Sequence, residues 1–303
     1  MIGPYDTPYA FRAALEARLR NIAQEHGTDL QRLRRRVAFD RLLARLFAQE
    51  DPPWLLKGGF ALEMRLKDRA RSTLDLDMSV PNPDRLRLPA VAGEDISVGH
   101  IVYDHLQQAA EHDLADGFRF LIRQPKREQI GATGRGVRCS VEVRLAGKVF
   151  AWFHLDIGLG DAVLDPPDWV EGSSLLHFAG IPAARVALYP AAQQFAEKVH
   201  AYTFPWQDRD STRVKDLVDL VLLVDSGLLE PERVKLALEA TFQTRNTHRL
   251  RSRLPVPPAD WTEPYAALAQ ELRLPVLTLP EAHTYLDDYW QTWELGQNRE
   301  QDL

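Results

Sequence analysis

Residues 57–80 have the sequence KGGFALEMRLKDRARSTLDLDMSV, which combines a glycine pair, an apolar stretch and an alternating segment. The pair, Gly58 and Gly59, opens the apolar stretch, whose composition is typical of a helix. Asp75 and Asp77 then alternate with apolar residues, which places both carboxylates on one face of a strand and the apolar side chains on the other. The predicted core face of this strand consists of Leu74, Leu76, Met78 and Val80.

This combination predicts a site for magnesium and a nucleotide. Two carboxylates side by side on a strand repel each other and cost stability unless a cation binds them. A glycine pair at a helix start lets backbone N–H groups approach a phosphate. Taken singly, a glycine pair before a helix is usually an ordinary turn, and an Asp-x-Asp segment is mostly a solvated strand face. Their order and spacing, with Arg71 and Thr73 before the carboxylates, favour the metal–nucleotide site.

The stretch resembles the nucleotidyltransferase superfamily that includes DNA polymerase beta, whose signature is a glycine pair, a short helix and Asp-x-Asp on the next strand. It is more closely similar to the AbiEii-type toxin nucleotidyltransferases, which include the mycobacterial MenT toxins, at residues 57–62 (KGGFAL) and 71–77 (RSTLDLD). Two departures are Phe60, where many superfamily members have serine, and the fifteen residues between Gly59 and Asp75. The resemblance implies an α/β (α+β) fold, in which a polymerase-beta-like nucleotidyltransferase domain with a mixed sheet precedes a mostly α-helical C-terminal domain.

The resemblance also implies roles for residues of the first half of the chain. Asp156, between Leu155 and Ile157, matches a third carboxylate on a neighbouring strand, and a strand-end aspartate before a glycine turn is the alternative. His154 is interpreted as structural, because magnesium prefers oxygen ligands. The implied metal ligands, which are also catalytic, are Asp75, Asp77 and Asp156, with Mg²⁺ or Mn²⁺ as the ion. The implied nucleotide-binding residues are Lys57, Gly58, Gly59, Arg71 and Thr73.

Three candidate site residues lie in the second half of the chain. Lys198 falls inside the apolar stripe of its helix, so its ammonium group either extends along the surface to solvent or reaches nucleotide phosphates from a buried position. Asp216 and Asp219 fall together on the polar side of the next helix, where a surface pair is the alternative to a site. The resemblance implies that Lys198 and Asp216 are catalytic and that Asp219 binds nucleotide, and it leaves open which aspartate is the catalytic one.

The composition is that of a globular chain. Of its 303 residues, 45% are hydrophobic and 26% charged, and no apolar run approaches the ~18 residues of a membrane span. The N-terminus lacks a basic-then-apolar signal sequence. The single cysteine, Cys139, excludes an internal disulfide and alternates with valines, which predicts a small core residue rather than a nucleophile. We therefore expect a cytoplasmic protein that does not enter a membrane.

The net charge of −6 argues against indiscriminate nucleic-acid binding, but three basic clusters interrupt the acidic chain. Each cluster alone is explained by a solvated face, whereas three together favour a polyanionic substrate. No aromatic-interleaved RNA-binding motif accompanies them. The clusters are Arg119, Arg123, Lys126, Arg127, Arg135, Arg138, Arg144 and Lys148; Arg32, Arg34, Arg35, Arg36, Arg41 and Arg45; and Arg245, His248, Arg249, Arg251 and Arg253.

Periodicity predicts an α/β half followed by a helical half. The expected domains are 1–185, the nucleotidyltransferase catalytic domain with N-terminal helices, and 186–303, an α-helical domain that completes the active site. A polar connector is expected at 81–93 and a loop at 124–136. Helices are predicted at 8–25, 29–49, 98–113, 190–203, 211–224, 230–243, 260–273 and 280–294, and strands at 117–123, 137–146 and 149–158.

Together, residues and resemblance predict a magnesium-dependent nucleotidyltransferase that is the toxin of a toxin–antitoxin or phage-defence system. The resemblance implies an NTP as substrate, CTP or another pyrimidine nucleotide, and RNA as acceptor, with the tRNA 3′ end foremost, so that transfer blocks translation. It also implies a cognate antitoxin protein. The alternatives are transfer to a protein or a small molecule, and a catalytically inactive nucleotide-binding partner protein. The nucleotide base, the acceptor, the antitoxin and the oligomeric state stay open.

Overall fold

Two units make up the chain in the computed structural model, which describes residues 2–86, 98–125, 128–131, 134–205 and 213–300. The first unit comprises Met1–Met64, Ser72–Gly160 and Pro167–Leu188. The second comprises Arg65–Arg71, Asp161–Pro166 and Tyr189–Leu303. Two short segments of the second unit are therefore inserted into the chain of the first.

Two capped helices begin the first unit, α1 (Pro8–His26) and α2 (Leu30–Leu46). Gly27 ends α1 in the left-handed conformation that glycine adopts without a Cβ penalty. The Asp29 carboxylate then accepts hydrogen bonds from the first free N–H groups of α2. Both predicted N-terminal helices are confirmed, and α2 ends three residues earlier than expected.

The arginine cluster on α2 is partly internal. Arg41 and Arg45 are each 2% exposed. Arg41 pairs with Asp40 at 2.6 Å and Arg45 with Asp116 at 2.7 Å, so each buried charge has a carboxylate partner. For these two arginines, both the solvated face and the polyanion-binding face predicted from the sequence are wrong, since they stabilise the fold.

One mixed sheet forms the centre of the first unit. Its strands are β1 (Leu55–Lys57), β2 (Leu76–Val80), β3 (Phe118–Arg123), β4 (Glu128–Gly131), β5 (Gly134–Leu145), β6 (Lys148–Leu159), β7 (Asp168–Glu171) and β8 (Arg185–Leu188). The order is β3-β5-β6-β2-β1-β8-β7, with β4 paired to β5. β2 is parallel to β6 and β1 is parallel to β8, whereas the other pairs are antiparallel. The predicted α/β fold with a mixed sheet is confirmed.

Two more helices flank this sheet, α3 (Gly58–Leu66) directly after β1 and α4 (Val98–Ala110) before β3. The loop predicted at 124–136 is wrong in part, because β4 and the start of β5 pair with each other there. Residues 126–127, which include two members of the basic cluster, lie outside the described residues, as do 132–133 and 87–93 of the predicted connector.

Strand β2 begins at Leu76, two residues later than the alternation from Leu74 predicted. Leu76, Met78 and Val80 are buried as predicted, but Leu74 is 61% exposed and does not belong to the core face. Cys139 is fully buried on β5, and burial raises the pKa of its thiol to about 11. The interpretation of this cysteine as a core residue is confirmed.

The second unit is helical, as predicted. Its helices are α5 (Ala191–Thr203), α6 (Val214–Asp225), α7 (Pro231–Arg245), α8 (Thr262–Leu272) and α9 (Leu279–Glu300). Residues 211–212, at the start of one predicted helix, lie outside the described residues. Across the described part of the chain, every helix is too short or too polar to cross a membrane.

Candidate functional site

Strand register brings two candidate metal ligands side by side in the first unit. β2 and β6 run parallel with Asp77 directly opposite Asp156, so the two side chains leave the same face of the sheet. Asp75 precedes β2 by one residue and is 3.4 Å from the Nδ1 atom of His154 on β6. The three carboxylates that the sequence singled out therefore lie at one place on the sheet.

The guanidinium of Arg138 lies between these carboxylates. Its Nε and Nη2 atoms donate to the two oxygens of Asp156 at 2.7 and 2.5 Å, and Nη2 is 3.4 Å from Asp75 Oδ2. Arg138 is directly opposite Asp156 in the antiparallel pair β5–β6. The hydrogen bond to Asp156, with the charges of Asp75 and Asp77, raises the pKa of Arg138. Arg138 thus contacts Asp156 and Asp75 and interacts with Asp77 through its charge.

The three carboxylates are of the type that binds a divalent cation, and the Arg138 guanidinium supplies the positive charge beside them in this structure. Mg²⁺ and Mn²⁺ prefer carboxylate oxygens, which Asp75, Asp77 and Asp156 supply. Within the described residues, however, no group of three or more His, Cys, Asp or Glu side chains is arranged to hold a metal ion. Asp156 is paired with Arg138, which would compete with a cation for this carboxylate.

Gly58 places the start of α3 against Asp77. Its φ of +68° lies in the left-handed region, and a Cβ atom at this position would be only 2.0 Å from Asp77 Oδ2. Backbone conformation and contact therefore both require glycine. Lys57 is directly opposite Asp77 in the antiparallel pair β1–β2, and Gly59 is buried in the first turn of α3. The glycine pair and the carboxylates form one contiguous structure.

Two neighbouring positions have structural roles. The Thr73 hydroxyl donates to the backbone oxygen of Asp75 at 3.2 Å and so holds the turn before β2. Phe60 is buried and its ring lies edge-on to Phe39, with 4.9 Å between ring centroids. The departure from serine at Phe60 therefore adds to the core of the first unit.

In the second unit, Lys198 joins two buried aspartates. Its Nζ atom is 2.9 Å from Asp216 and 2.9 Å from Asp219. Arg71 donates two hydrogen bonds to Asp219, at 2.9 and 2.8 Å, and Arg213 donates one to Asp216 at 3.0 Å. The candidate residues of this unit thus form one ion-pair network, with Arg213 as a member that sequence reasoning missed.

Burial and charge together set the protonation of the network. Burial alone would raise the pKa of Asp219, but the charges of Lys198 and Arg71 hold it below its ordinary value. Burial alone would lower the pKa of Lys198, but Asp216 and Asp219 hold it above its ordinary value. These shifts keep Asp219 and Lys198 charged at neutral pH, so the two side chains form a largely buried ion pair.

The burial of these aspartates excludes the surface pair that the sequence left as the alternative to a site. Asp216 is 6% exposed and Asp219 is fully buried. The side chain of Lys198 is 15% exposed and ends on the two carboxylates, so it does not extend to solvent. The buried position of Lys198 is one of the two that the sequence allowed, whereas its pairing with both aspartates was not predicted.

The basic cluster that begins at Arg245 is also partly internal to the second unit. The Arg245 side chain is 8% exposed and pairs with Glu197 at 2.7 Å. Its guanidinium is 3.4 Å from the Nδ1 atom of His200. Burial and the nearby Arg245 charge lower the pKa of His200 to about 3, so this imidazole is neutral at physiological pH. Arg245 therefore belongs to the interior of the second unit and not to a solvated face.

Sequence reasoning placed Arg138 in a basic cluster and missed its part in the site. Alternation with the buried Cys139 was enough to direct Arg138 to the face opposite the core. Its pairing with Asp156, eighteen residues further along the chain, depends on the register of β5 and β6. That register is not encoded in the alternation of either strand.

Comparison with known proteins agrees with this geometry. The family model "Nucleotidyl transferase AbiEii toxin, Type IV TA system" matches residues 41–292. No curated protein matches the chain. The solved structure of the MenT4 nucleotidyltransferase toxin Rv2826c from Mycobacterium tuberculosis H37Rv is 19% identical, covers 93% of this chain and 92% of that chain, and superposes with a TM-score of 0.57. It shows a shared fold.

Two other solved structures match less well. The antibiotic-resistance factor ANT(2″)-Ia is 17% identical over 70% of this chain and 92% of that chain, with a TM-score of 0.36. An antigenic nucleotidyltransferase-like protein from Paracoccidioides brasiliensis is 13% identical over 78% of this chain and 91% of that chain, with a TM-score of 0.37. These scores are too low to inform the site, whereas the family model spans most of the chain. The protein therefore belongs to the AbiEii nucleotidyl transferase toxin family and is a nucleotidyltransferase.

Proposed function

We propose that this toxin is a Mg²⁺-dependent enzyme that transfers nucleotides from an NTP to RNA, with the tRNA 3′ end as acceptor, and so blocks translation. The observation that carries the proposal is the convergence of Asp75, Asp77 and Asp156 on one positive charge beside the glycine pair. A triphosphate with its metal ion needs the same combination of acidic ligands and close backbone approach.

The proposed reaction is a single displacement at phosphorus. The acceptor hydroxyl oxygen bonds to the α-phosphorus of the NTP, and the bond from that phosphorus to the oxygen bridging the β-phosphate breaks, which releases pyrophosphate. Asp156 is proposed to orient the acceptor hydroxyl and to take its proton. Each transfer therefore forms one phosphodiester bond in the product and releases one pyrophosphate for each NTP consumed.

Asp75, Asp77 and Asp156 are the proposed metal ligands. When bound, the divalent cation would offset the charge of the phosphates and of the leaving pyrophosphate. Lys57, Gly58 and Gly59 are the proposed phosphate seat of the first unit, with Thr73 holding Asp75 in place.

In the second unit we propose that Lys198 and Asp216 act in the same reaction and that Arg71 and Asp219 bind nucleotide. Support comes from the shared ion-pair network, which holds the Lys198 ammonium group in place. An ammonium group already held in place by two carboxylates would need no reorganisation as negative charge develops on the phosphates.

Three further parts of the proposal rest on the family resemblance. The nucleotide is CTP or another pyrimidine triphosphate, a cognate antitoxin protein is the partner, and the reaction takes place in the cytoplasm. Membership of a toxin family supports an antitoxin partner in general terms.

The proposal is tested by incubating the purified protein with each α-labelled ribonucleoside triphosphate and total RNA, with and without Mg²⁺. We expect label in RNA of tRNA size with a pyrimidine nucleotide, and no label when a chelator is present. Label in a protein with none in RNA, or in a small molecule alone, would contradict the RNA acceptor. An absence of transfer with every nucleotide and acceptor would favour an inactive nucleotide-binding protein.

Arg138→Gln should strengthen Mn²⁺ binding to the nucleotide-free protein, because the guanidinium competes with the metal for Asp75 and Asp156. Arg138 is 42% exposed, and an exposed ion pair contributes at most about 1 kcal/mol, so the gain should not exceed about fivefold. Mn²⁺ titration followed by electron paramagnetic resonance measures it.

Arg144→Gln is the matched control for this change. Arg144 lies on the same strand, is 43% exposed and pairs with Glu142 at 2.5 Å, so the change removes a similarly exposed arginine whose carboxylate partner is outside the candidate metal site. Its Mn²⁺ affinity should be that of the wild type. Weaker Mn²⁺ binding by Arg138→Gln would show that the arginine supports the metal site and does not compete with the metal.

A further inference from the structure

A cleft of about 550 Å³ opens beside Asp75 in the first unit. Its lining includes Leu74, Asp75, Arg123 and Trp152. Leu74 is 61% exposed and Trp152 is 46% exposed, so two large apolar side chains face solvent next to a candidate catalytic carboxylate. The volume lies within the range of small-molecule sites, and the mixture of apolar walls with a few charged groups is typical of them.

The chemistry of the cleft suits a nucleobase with its phosphate. The guanidinium carbon of Arg123 lies 5.2 Å from the centroid of the Trp152 ring. Arg35 also lines the cleft, and its Nε atom is buried without a hydrogen-bond partner among the described residues. Unpaired bases stack on aromatic rings and on arginine planes, and arginine binds the phosphates between them.

Strand order places this cleft on the far side of the carboxylates from the glycine pair. Across the sheet, β1 is followed by β2, β6, β5 and β3. Gly58 follows β1, the pair Asp77 and Asp156 lies on β2 and β6, and Arg123 lies on β3. The attacking and leaving oxygens of a phosphoryl transfer lie roughly in line on opposite sides of the phosphorus. With the phosphates at Gly58, the acceptor approaches from the side of Arg123.

We propose that this cleft, the Trp152 cleft, binds the terminal nucleobase of a single-stranded RNA acceptor, stacked on Trp152 with its phosphate at Arg123. This inference rests on the proposed transfer to RNA. It assigns the acceptor end to β6, β5 and β3 of the first unit and gives Arg123 of the basic cluster a specific role. The base of the incoming NTP is the competing occupant.

The variant Trp152→Ala tests the inference, because the KM for the RNA acceptor and the KM for the NTP are measured separately. Stacking of one base on an aromatic side chain contributes roughly 1–3 kcal/mol, so the KM for a short single-stranded RNA ending in the tRNA sequence CCA should rise about 5- to 150-fold. The KM for the NTP should not change. Trp152→Phe, which keeps an aromatic ring, should retain most of the RNA affinity.

A second test of the same contact uses an RNA that lacks only its terminal base. The wild type should lose the same factor on this abasic RNA as Trp152→Ala loses on the intact RNA. The two losses should not add, because both remove one contact. Anisotropy of the fluorescently labelled RNA, without NTP, measures the same losses as binding.

Trp169→Ala is the matched control. Trp169 is also 46% exposed and has the guanidinium of Arg185 at 5.1 Å from its ring, but it lies on β7 at the opposite edge of the sheet. Its RNA affinity should be unchanged. A higher KM for the NTP alone in Trp152→Ala, or no change in either KM, would overturn the cleft assignment while leaving RNA transfer intact. A wild type that neither transfers nucleotides to RNA nor binds it would overturn the proposed function and this inference together.

Discussion

Asp75→Asn and Asp77→Asn should each lower the rate of nucleotide transfer by roughly a hundredfold to a thousandfold or more, since each change removes one charge that holds the metal and its phosphates. Asparagine has nearly the size of aspartate, so the contact of residue 77 with Gly58 is kept. Removal of one of several crowded carboxylates also relieves repulsion, so the thermal midpoint should not fall. Transfer of labelled nucleotide at saturating Mg²⁺ and Mn²⁺ titration measure the two effects.

Asp165→Asn controls for the loss of a half-buried, ion-paired aspartate. Asp165 is 29% exposed and lies 3.4 Å from Arg233, whereas Asp75 is 35% exposed and lies 3.4 Å from Arg138. Its transfer rate and Mn²⁺ affinity should be those of the wild type. Near wild-type transfer by Asp75→Asn or Asp77→Asn would show that the changed residue is not a metal ligand.

Lys198→Met should lower both the rate and the stability. Loss of one preorganised charge near a developing anion costs about a hundredfold in rate. Loss of the ammonium group removes one cationic partner from Asp216 and one from the fully buried Asp219, which keeps its pair with Arg71. Breaking a buried ion pair costs about 3–5 kcal/mol. Chemical denaturation measures the free energy of unfolding, and the rate is measured per folded molecule below the thermal midpoint.

The stability loss should depend on pH in a defined direction. The pKa of Asp219 is lowered in the folded wild type, so its ion pairs stabilise the fold fully above the unfolded carboxyl pKa of about 4. That stabilisation is lost as the pH falls through the lower folded value. The difference in unfolding free energy between wild type and Lys198→Met should therefore be largest at neutral pH and shrink in acid.

The variant Arg69→Met is the control for Lys198→Met, because it removes an exposed ion pair of the second unit instead of a buried one. Arg69 pairs with Asp225 but is 49% exposed, so its loss should cost less than about 1 kcal/mol and leave the rate unchanged. A Lys198→Met variant that is destabilised but transfers nucleotides at the wild-type rate per folded molecule would assign Lys198 a structural role only.

Local sequence patterns determined a large part of this protein. The helices follow from apolar periodicity and capping residues, as at Gly27 and Asp29, and these act within a few residues. The glycine pair and the alternation of Asp75 and Asp77 identified the first-unit site for the same reason. Order and spacing of these residues also carried the family resemblance, which the match over residues 41–292 confirms.

The location of the basic residues could not be predicted from local sequence. An arginine-rich segment indicates positive charge but not its location, and Arg41 and Arg45 turned out to be buried against Asp40 and Asp116. Conversely, Trp152 was not part of any linear motif, yet the order of β6, β5 and β3 places it near Arg123. Aromatic and basic residues that are separate in the chain thus form one cleft.

By itself the sequence determined the class of fold and the family and singled out the candidate site residues, because these depend on residue types and short spacings. Only the tertiary structure decided how those residues are paired. Arg138 meets Asp156 through strand register, and Asp219 is buried against Arg71, which is 148 residues away in the chain, and Lys198 on another helix. A helical wheel or an alternating strand specifies the direction of a side chain, whereas its partner, and therefore its burial and charge state, depends on packing between distant segments.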